Sequence, residues 1–136
     1  MAPVFQRNLA RCVSDYLPVA DEVERFCAEN SLPKPLTFKI RLVVEELILN
    51  LIDHAVGPAT DRIDLQIDLG ADRVIVTLDD GSAPFDPRSA PAFDKFKPLE
   101  ERGPRGMGIH LVRSIAQNLT YERAGSRNRL HVEIMR

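Results

Sequence analysis

The chain has 136 residues, of which 44% are hydrophobic and 28% charged, and its formal net charge is −2. This balance is typical of a globular protein and argues against a disordered chain, so we interpret residues 1–136 as a single domain. A small negative charge gives no reason to expect a nucleic-acid surface, and no direct nucleic-acid partner is predicted.

The sequence also lacks the features of membrane and secreted proteins. No apolar run approaches the roughly 20 residues of a membrane span, and the first ten residues lack the apolar core of a signal peptide. The two cysteines, Cys12 and Cys27, are too few for a disulfide scaffold and lie in apolar settings, which favours buried free thiols. We therefore expect a cytoplasmic protein with no membrane partner.

The first third of the chain predicts one strand and two helices. Residues 4–13 are short and mixed, which indicates an edge strand. Apolar residues recur at helical spacing over residues 17–30, with Pro18 in the first turn. A strongly apolar helix is predicted over residues 38–56, with Thr37 as its N-terminal cap.

After the helices the period of the hydrophobic pattern changes to two. Residues 63–69 and 73–78 alternate in this way around a short turn and predict a β-hairpin. Residues 119–123 and 129–135 predict a second, closing hairpin. Strands paired through hairpins, with enough helix to cover one face, indicate an α+β two-layer sandwich with a mostly antiparallel sheet.

Between the hairpins lies a long segment rich in glycine and proline, followed by a helix predicted over residues 109–117. Five of the ten prolines and four of the seven glycines fall within residues 79–108. A loop of this length is uncommon in a compact domain and is more often a binding loop or lid than a plain connection. Its section 86–105 carries Lys95, Lys97, Arg102 and Arg105, whose charges meet phosphates or form an ordinary solvated surface.

The long helix carries Glu46 and Asn50 on one face, together with either Asp53 or His54. These polar groups lie in or beside its apolar stripe, where a carboxylate is costly unless it is paired, hydrated or facing a cleft. One interpretation is a satisfied polar pair at the edge of the core. The other is a carboxylate base next to an amide ligand for Mg²⁺, a cation that prefers oxygen donors.

Two further motifs each have a structural and a functional interpretation. Asp79-Asp80-Gly81 forms a turn, or it places Asp79 where it accepts from an exocyclic amine while Gly81 lets a ring approach the backbone. The glycines of residues 103–108 give flexibility, or they form an anion site at the start of the next helix. The segment is not a P-loop, because GxxxxGK[ST] is absent from the sequence.

The order of these motifs is more specific than any of them alone. E-x-x-x-N on a helix, D-x-G near a strand end and R-G-x-G-x-x-L opening a helix resemble the GHKL (Bergerat-fold) ATPase superfamily, and within it the anti-sigma-factor serine kinases. Residues 46–50 resemble the N box, 79–87 the first glycine box and 106–111 the second. Residues 121–130 resemble the closing hairpin of that branch. The second glycine of the superfamily's first glycine box is absent here.

The resemblance implies a fold with a nucleotide-binding lid and a site for ATP or ADP with Mg²⁺. Glu46 would be the catalytic base and Asn50 the metal ligand, while Asp79 would hold the adenine amine with Gly81 beside the ring. The phosphates would be wrapped by Arg105, Gly106, Met107 and Gly108.

The resemblance further implies transfer of the γ-phosphoryl group of ATP to a serine of a small antagonist, an anti-anti-sigma protein of the STAS type. The kinase would also sequester a sigma factor or similar regulator, and would form a homodimer through the first strand and helix. The alternative is a nucleotide-dependent partner-binding module without kinase activity. A histidine-kinase fragment is a weaker option, because no helix with a phosphoacceptor histidine precedes the domain.

Overall fold

A computed structural model describes residues 2–54, 62–84, 86, 88 and 108–136 of the chain. Within these residues the polypeptide forms three helices and five strands. In chain order they are β1 (Val4–Ala10), α1 (Val13–Glu29), α2 (Lys34–His54), β2 (Arg62–Leu69), β3 (Arg73–Asp80), α3 (Gly108–Ile115), β4 (Asn118–Ala124) and β5 (Arg127–Met135).

The five strands form one sheet in the order β1-β2-β3-β5-β4, and all neighbouring strands are antiparallel. Both predicted hairpins are present, and β1 lies at an edge as predicted. Gly125, in the turn between β4 and β5, has a φ of 60°, a conformation that favours glycine. The core lies between the helices and one face of the sheet, so the predicted α+β two-layer sandwich is confirmed.

Alternation along the strands determines which side chains enter the core. Along β2, Ile63, Leu65, Ile67 and Leu69 are buried, while the residues between them are exposed or half-buried. Cys27 is also buried, whereas Cys12 is only half-buried; both are free thiols, as predicted. None of the helices in the described part of the chain is long and apolar enough to span a membrane.

The first strand and helix meet earlier than predicted. β1 ends at Ala10 and α1 begins at Val13, so the predicted strand end at residue 13 and helix start at residue 17 are wrong. Asp15, in the first turn, accepts a hydrogen bond from the backbone N–H of Ala10 at 2.9 Å, which stabilises the junction. Pro18 consequently lies inside the helix rather than at its start.

Helix α2 also begins earlier than predicted, at Lys34. The backbone N–H of Thr37 donates to the carbonyl of Pro33 at 3.0 Å, so Thr37 lies within the helix and is not its cap. The described helix extends to His54, and the predicted end at residue 56 lies outside the described residues. Ile40, Val43 and Ile48 are fully buried, which places α2 at the centre of the helical layer.

The later boundaries differ by one or two residues, and one difference affects the site. β3 continues to Asp80 rather than ending at residue 78, because its pairing with β5 extends to Asp80 opposite Asn128. Asp79 and Asp80 are therefore strand residues and point to opposite faces of the sheet. Helix α3 covers Gly108–Ile115, slightly earlier than the predicted 109–117.

The face of the sheet away from the helices carries a row of polar residues that crosses all five strands. Directly opposed neighbours in the row are Asn8, Asp64, Asp79, Arg129 and Glu122. Like charges meet where Asp64 faces Asp79, which destabilises a strand pair unless a cation is close. Arg127 supplies that cation: its guanidinium lies 3.0 Å from Asp64 Oδ2 and 2.5 Å from Asp79 Oδ1.

Candidate functional site

Helix α2 presents Asn50 to a small cavity between the helices and the sheet. The cavity is lined by Leu47, Asn50, Leu51, Leu78, Asp80, Tyr121, Asn128 and Leu130. Its volume is about 20 Å³, room for about one water molecule. Four of these eight side chains carry a polar group, so the cavity combines apolar walls with convergent donors and acceptors, as ligand sites do.

Glu46 lies one turn before Asn50 on α2 and faces the start of α3. A Cβ atom built on Gly108 would lie 2.5 Å from Oε2 of Glu46 and 3.5 Å from its carboxyl carbon. Only a glycine permits this approach without displacement of the carboxylate. The carboxylate is half-buried at the N-terminus of α3, where the positive end of the helix dipole favours a negative charge.

Asp80 is the buried acid of the site, with 3% of its surface exposed. Its Oδ1 accepts hydrogen bonds from the backbone N–H of Ser82 at 2.9 Å, from the Ser82 hydroxyl and from Asn128 Nδ2 at 3.3 Å. Among the described residues no hydrogen bond reaches its second oxygen, Oδ2. One oxygen of this carboxylate is thus fixed by the protein, and the other is available to a ligand donor.

Asn128 connects Asp80 to the loop that follows β3. Its Nδ2 also donates to the Ser82 hydroxyl at 3.1 Å and to the Ala83 carbonyl at 3.0 Å, and its Oδ1 accepts from the Tyr121 hydroxyl. Arg123 donates to the Ser82 carbonyl at 2.7 Å and to Asn128 Oδ1 at 3.1 Å. This buried network holds the end of β3 against the β4–β5 hairpin.

The structure does not bring Asp79 together with Glu46 and Asn50. Because β3 is two residues longer than predicted, Asp79 faces the outer side of the sheet and pairs with Arg127 and with Arg129, the latter at 3.0 Å. The prediction that Asp79 lies in the pocket with Asn50 is therefore wrong in its placement, and Asp80 occupies that position. Gly81 follows directly and is half-buried.

The glycine-rich segment is represented in the described residues by Gly108 alone. Arg105, Gly106 and Met107 lie outside the described residues, and their predicted contacts with phosphates stay predictions. So do those of Lys95 and Lys97. His54 belongs to α2.

The other face of α2 carries a separate polar contact. Burial, together with the neighbouring Glu45 carboxylate to which it is hydrogen-bonded, raises the pKa of the Tyr16 hydroxyl to about 12. Tyr16 therefore stays protonated at neutral pH. Glu45 is exposed and bound to α1, which distinguishes it from its neighbour Glu46.

The donors at the site fit a magnesium ion that is held mainly by phosphates and water. The described residues contain no group of three or more His, Cys, Asp or Glu side chains that could form a metal cage. Glu46 and Asn50 are four residues apart on α2, about 6 Å along the helix axis. Mg²⁺ in nucleotide sites commonly takes one or two protein ligands and keeps several waters, so this sparse donor set is suitable.

Sequence reasoning missed four members of the site: Asp80, Ser82, Tyr121 and Asn128. A signal for Asp80 was present, because it continues the alternation of Val74, Val76 and Leu78 that faces the helices. The other three residues reach the site through contacts between distant segments. Tyr121 and Asn128 lie in the hairpin that the family resemblance covers, but no local pattern gave any of the three a role in the site.

Comparison with known proteins identifies the family. The model of the histidine kinase-like ATPase domain family matches residues 13–134. No curated protein matches the chain. Membership in a family of ATPase domains supports nucleotide binding by this chain.

Solved structures share the fold at low sequence identity. The RsbU and RsbW domains of Rv1364c from Mycobacterium tuberculosis align over 98% of this chain with a TM-score of 0.64 and 12% identity. The histidine kinase domain of the Erythrobacter litoralis EL346 blue-light activated histidine kinase aligns over 89% with a TM-score of 0.53 and 15% identity. The chain spans 33% and 59% of these two structures. With a match over residues 13–134 and the same fold, the chain belongs to the family of histidine kinase-like ATPase domains.

Proposed function

We propose that the chain is an ATP-dependent protein-serine kinase of the anti-sigma-factor type. Three observations support the proposal: the buried acid Asp80 and the amide of Asn50 line one cavity between α2 and the sheet, and the half-buried Glu46, one helical turn before Asn50, lies against Gly108 at the start of α3. Each of these three side chains supplies a group that phosphoryl transfer from ATP requires, and a domain that only bound nucleotide would not need the third.

Asp80, rather than Asp79, accepts a hydrogen bond from the exocyclic amine of adenine through its second oxygen. The network around Asn128 holds Oδ1 of Asp80, so the acceptor Oδ2 is positioned before adenine binds. Gly81 lies beside it and lets the ring approach the backbone. A cavity of about 20 Å³ is smaller than a nucleobase, so its walls move apart when adenine binds.

Glu46 acts as the general base. It accepts the proton of the substrate serine hydroxyl while the hydroxyl oxygen bonds to the γ-phosphorus and the bond from that phosphorus to the ADP oxygen breaks. Asn50 is the residue that would hold Mg²⁺, which when bound neutralises phosphate charge. Gly108, with Arg105, Gly106 and Met107, contributes to the phosphate-binding turn at the start of α3.

The phosphate acceptor is proposed to be a serine on a small STAS-type antagonist, and the second partner a sigma factor or similar regulator. The sequence motifs that resemble anti-sigma-factor kinases support this choice, as does the fold shared with a structure that contains an RsbW domain. The protein is proposed to act in the cytoplasm.

A homodimer through β1 and α1 is part of the proposal. Three of the five large exposed hydrophobic residues in the described part of the chain, Val4, Val13 and Leu17, lie on these two elements. Light scattering should give the mass of two chains for the wild type and of one chain for Leu17→Lys. A wild type with the mass of one chain at all concentrations would exclude this interface.

The kinase is tested with Mg²⁺, labelled ATP and a STAS-domain protein identified by co-purification with the chain. The expected product is phosphoserine on that partner, lost at least 100-fold in Glu46→Gln, because general-base catalysis contributes about 10²–10⁴-fold. The Glu46→Gln variant should still bind ADP as the wild type does.

Glu45→Gln is the matched control, since it makes the same change on the adjacent residue, which is bound to Tyr16 on α1. It should transfer phosphate at the wild-type rate. Nucleotide binding without phosphoserine in the wild type would favour a nucleotide-dependent binding module. Undiminished transfer by Glu46→Gln would remove the proposed base.

A further inference from the structure

Two residues just after the loop that follows β3, Asp86 and Arg88, form an ion pair. Asp86 Oδ1 accepts hydrogen bonds from the backbone N–H of Arg88 at 2.9 Å and from its Nε at 3.0 Å. Asp86 Oδ2 accepts a hydrogen bond from Nη2 of the same guanidinium at 2.8 Å. This two-point contact fixes the direction of the guanidinium as well as its position. The hydrogen bond from the Arg88 side chain also lowers the pKa of Asp86 below its usual value.

The guanidinium held in this way lies over an aromatic ring. The Cζ atom of Arg88 is 6.0 Å from the centroid of Tyr121, within the range of a cation–π contact. Tyr121 lines the cavity, and its hydroxyl donates to Asn128, which in turn binds Asp80. A continuous series of contacts therefore joins Arg88 to the buried acid of the site.

The backbone of the same arginine contacts the helix on the other side of the site. The carbonyl of Arg88 accepts a hydrogen bond from a guanidinium nitrogen of Arg113, on α3. Helix α3 begins at Gly108, against which the Glu46 carboxylate lies. Arg88 is thus bound to both halves of the cleft: by its side chain to the side of Asp80, and by its backbone to the side of Glu46.

We propose that Arg88, oriented by Asp86, is a positioning residue for the nucleotide site, which holds the ring of Tyr121 as a fixed wall of the cavity. The inference rests on the proposed function. It adds a role for Arg88, which lies just beyond the residues that the first glycine box covers. Arg88 touches none of the reacting groups, so its loss should weaken nucleotide binding and leave the rate of transfer at saturating ATP unchanged.

The first test is calorimetric titration of the full chain with ADP and Mg²⁺. Arg88→Met keeps the length of the side chain and removes its charge, and should weaken binding about two- to fivefold, the range for an exposed cation–π contact. Arg88→Lys keeps a cation over the ring and should recover most of the loss. Arg73→Met is the control: Arg73 is similarly exposed and paired with carboxylates, but lies at the far end of β3 from Asp80.

A double-mutant cycle then separates positioning from general destabilisation. In a Tyr121→Phe background the ring remains, and Arg88→Met should have the same effect as in the wild type. In a Tyr121→Leu background there is no ring to hold, and Arg88→Met should have no further effect. An equal loss in both backgrounds would mean that Arg88 acts without Tyr121 and would overturn the inference.

A spectroscopic test reports on the ring directly. The chain contains no tryptophan and two tyrosines, so Tyr121 is the only tyrosine fluorophore in a Tyr16→Phe variant. In that background, adding Arg88→Met should increase quenching of the emission by acrylamide, because the guanidinium no longer shields the ring from solvent. Unchanged quenching together with unchanged ADP affinity would refute the role of Arg88 while the proposed function stands. Failure of the wild type to bind ADP would refute the proposed function and this inference with it.

Discussion

Replacing Asp80 by asparagine should weaken ADP binding strongly, whereas the same change at Asp79 should leave it unaltered. Asparagine keeps a carbonyl oxygen for the bonds from Ser82 and Asn128, so the Asp80→Asn variant should fold. The variant loses the negatively charged oxygen that accepts a hydrogen bond from the adenine amine. A hydrogen bond to a charged group is worth about 1.5–3 kcal/mol, which corresponds to about 10- to 150-fold in affinity.

Asp79→Asn should instead reduce stability. Asp79 is 15% exposed, but its partners Arg127 and Arg129 are 38% and 44% exposed, so solvent screens both pairs. We expect a loss of about 1 kcal/mol in the free energy of unfolding, a fall of about 2–5 °C in Tm, and a smaller difference at high salt.

Calorimetric titration with ADP and Mg²⁺, together with urea denaturation, measures both quantities on both variants. The Asp80→Asn variant should also discriminate less between ADP and GDP, because its amide can donate to the guanine carbonyl that a carboxylate repels. Loss of ADP binding in Asp79→Asn with wild-type affinity in Asp80→Asn would refute the assignment of the two faces of β3.

The remaining predictions concern the cleft and its surroundings. Gly108→Ala should lower the transfer rate at least tenfold without loss of stability, because the added carbon displaces Glu46 while alanine favours helix; steady-state kinetics and thermal melts measure the two effects. Asn50→Ala should reduce ADP affinity in the presence of Mg²⁺ and leave it unchanged in EDTA, as calorimetry in both buffers would show. Asp86→Asn should be less stable than the wild type above pH 3.8, because the ion pair with Arg88 requires the charged acid. The difference in the free energy of unfolding should vanish as the pH falls through the lowered pKa of Asp86, which urea titrations at several pH values test.

Each of these three predictions has an outcome that would contradict it. Gly125→Ala is the control for Gly108: it has a φ of 60° with no atom near the added carbon, so it should cost stability and leave the transfer rate intact. Full activity in Gly108→Ala would mean that the close approach to Glu46 is not needed. Equal losses with and without Mg²⁺ would deny Asn50 a metal-binding role, and a pH-independent difference would exclude the ion pair of Asp86.

The parts of the fold that follow from local spacing could be predicted from the sequence. Alternation over residues 63–69 and 73–78 determines which side chains share a face, and the hairpins follow from it. The same holds for Glu46 and Asn50, because a spacing of four places them on one side of α2 whatever the helix packs against.

Features that depend on distant partners could not be predicted in the same way. Aspartate is a poor strand former, so β3 was predicted to end before Asp79. Pairing with Asn128, 48 residues away, extends the strand to Asp80, so the alternation of β3 continues and Asp80, not Asp79, faces the helices. The partnership of Tyr121 with Arg88 likewise depends on how separate segments pack, which no short pattern records.

The position of β5 has a consequence for biosynthesis. β5 lies inside the sheet, between β3 and β4, although it is the last of the five strands to be translated. Until it leaves the ribosome, Asp64 and Asp79 face each other without the arginine that neutralises them, and β4 has no neighbour. The nascent chain therefore exposes an unfinished sheet until β5 has been synthesised, the interval in which it most needs a chaperone.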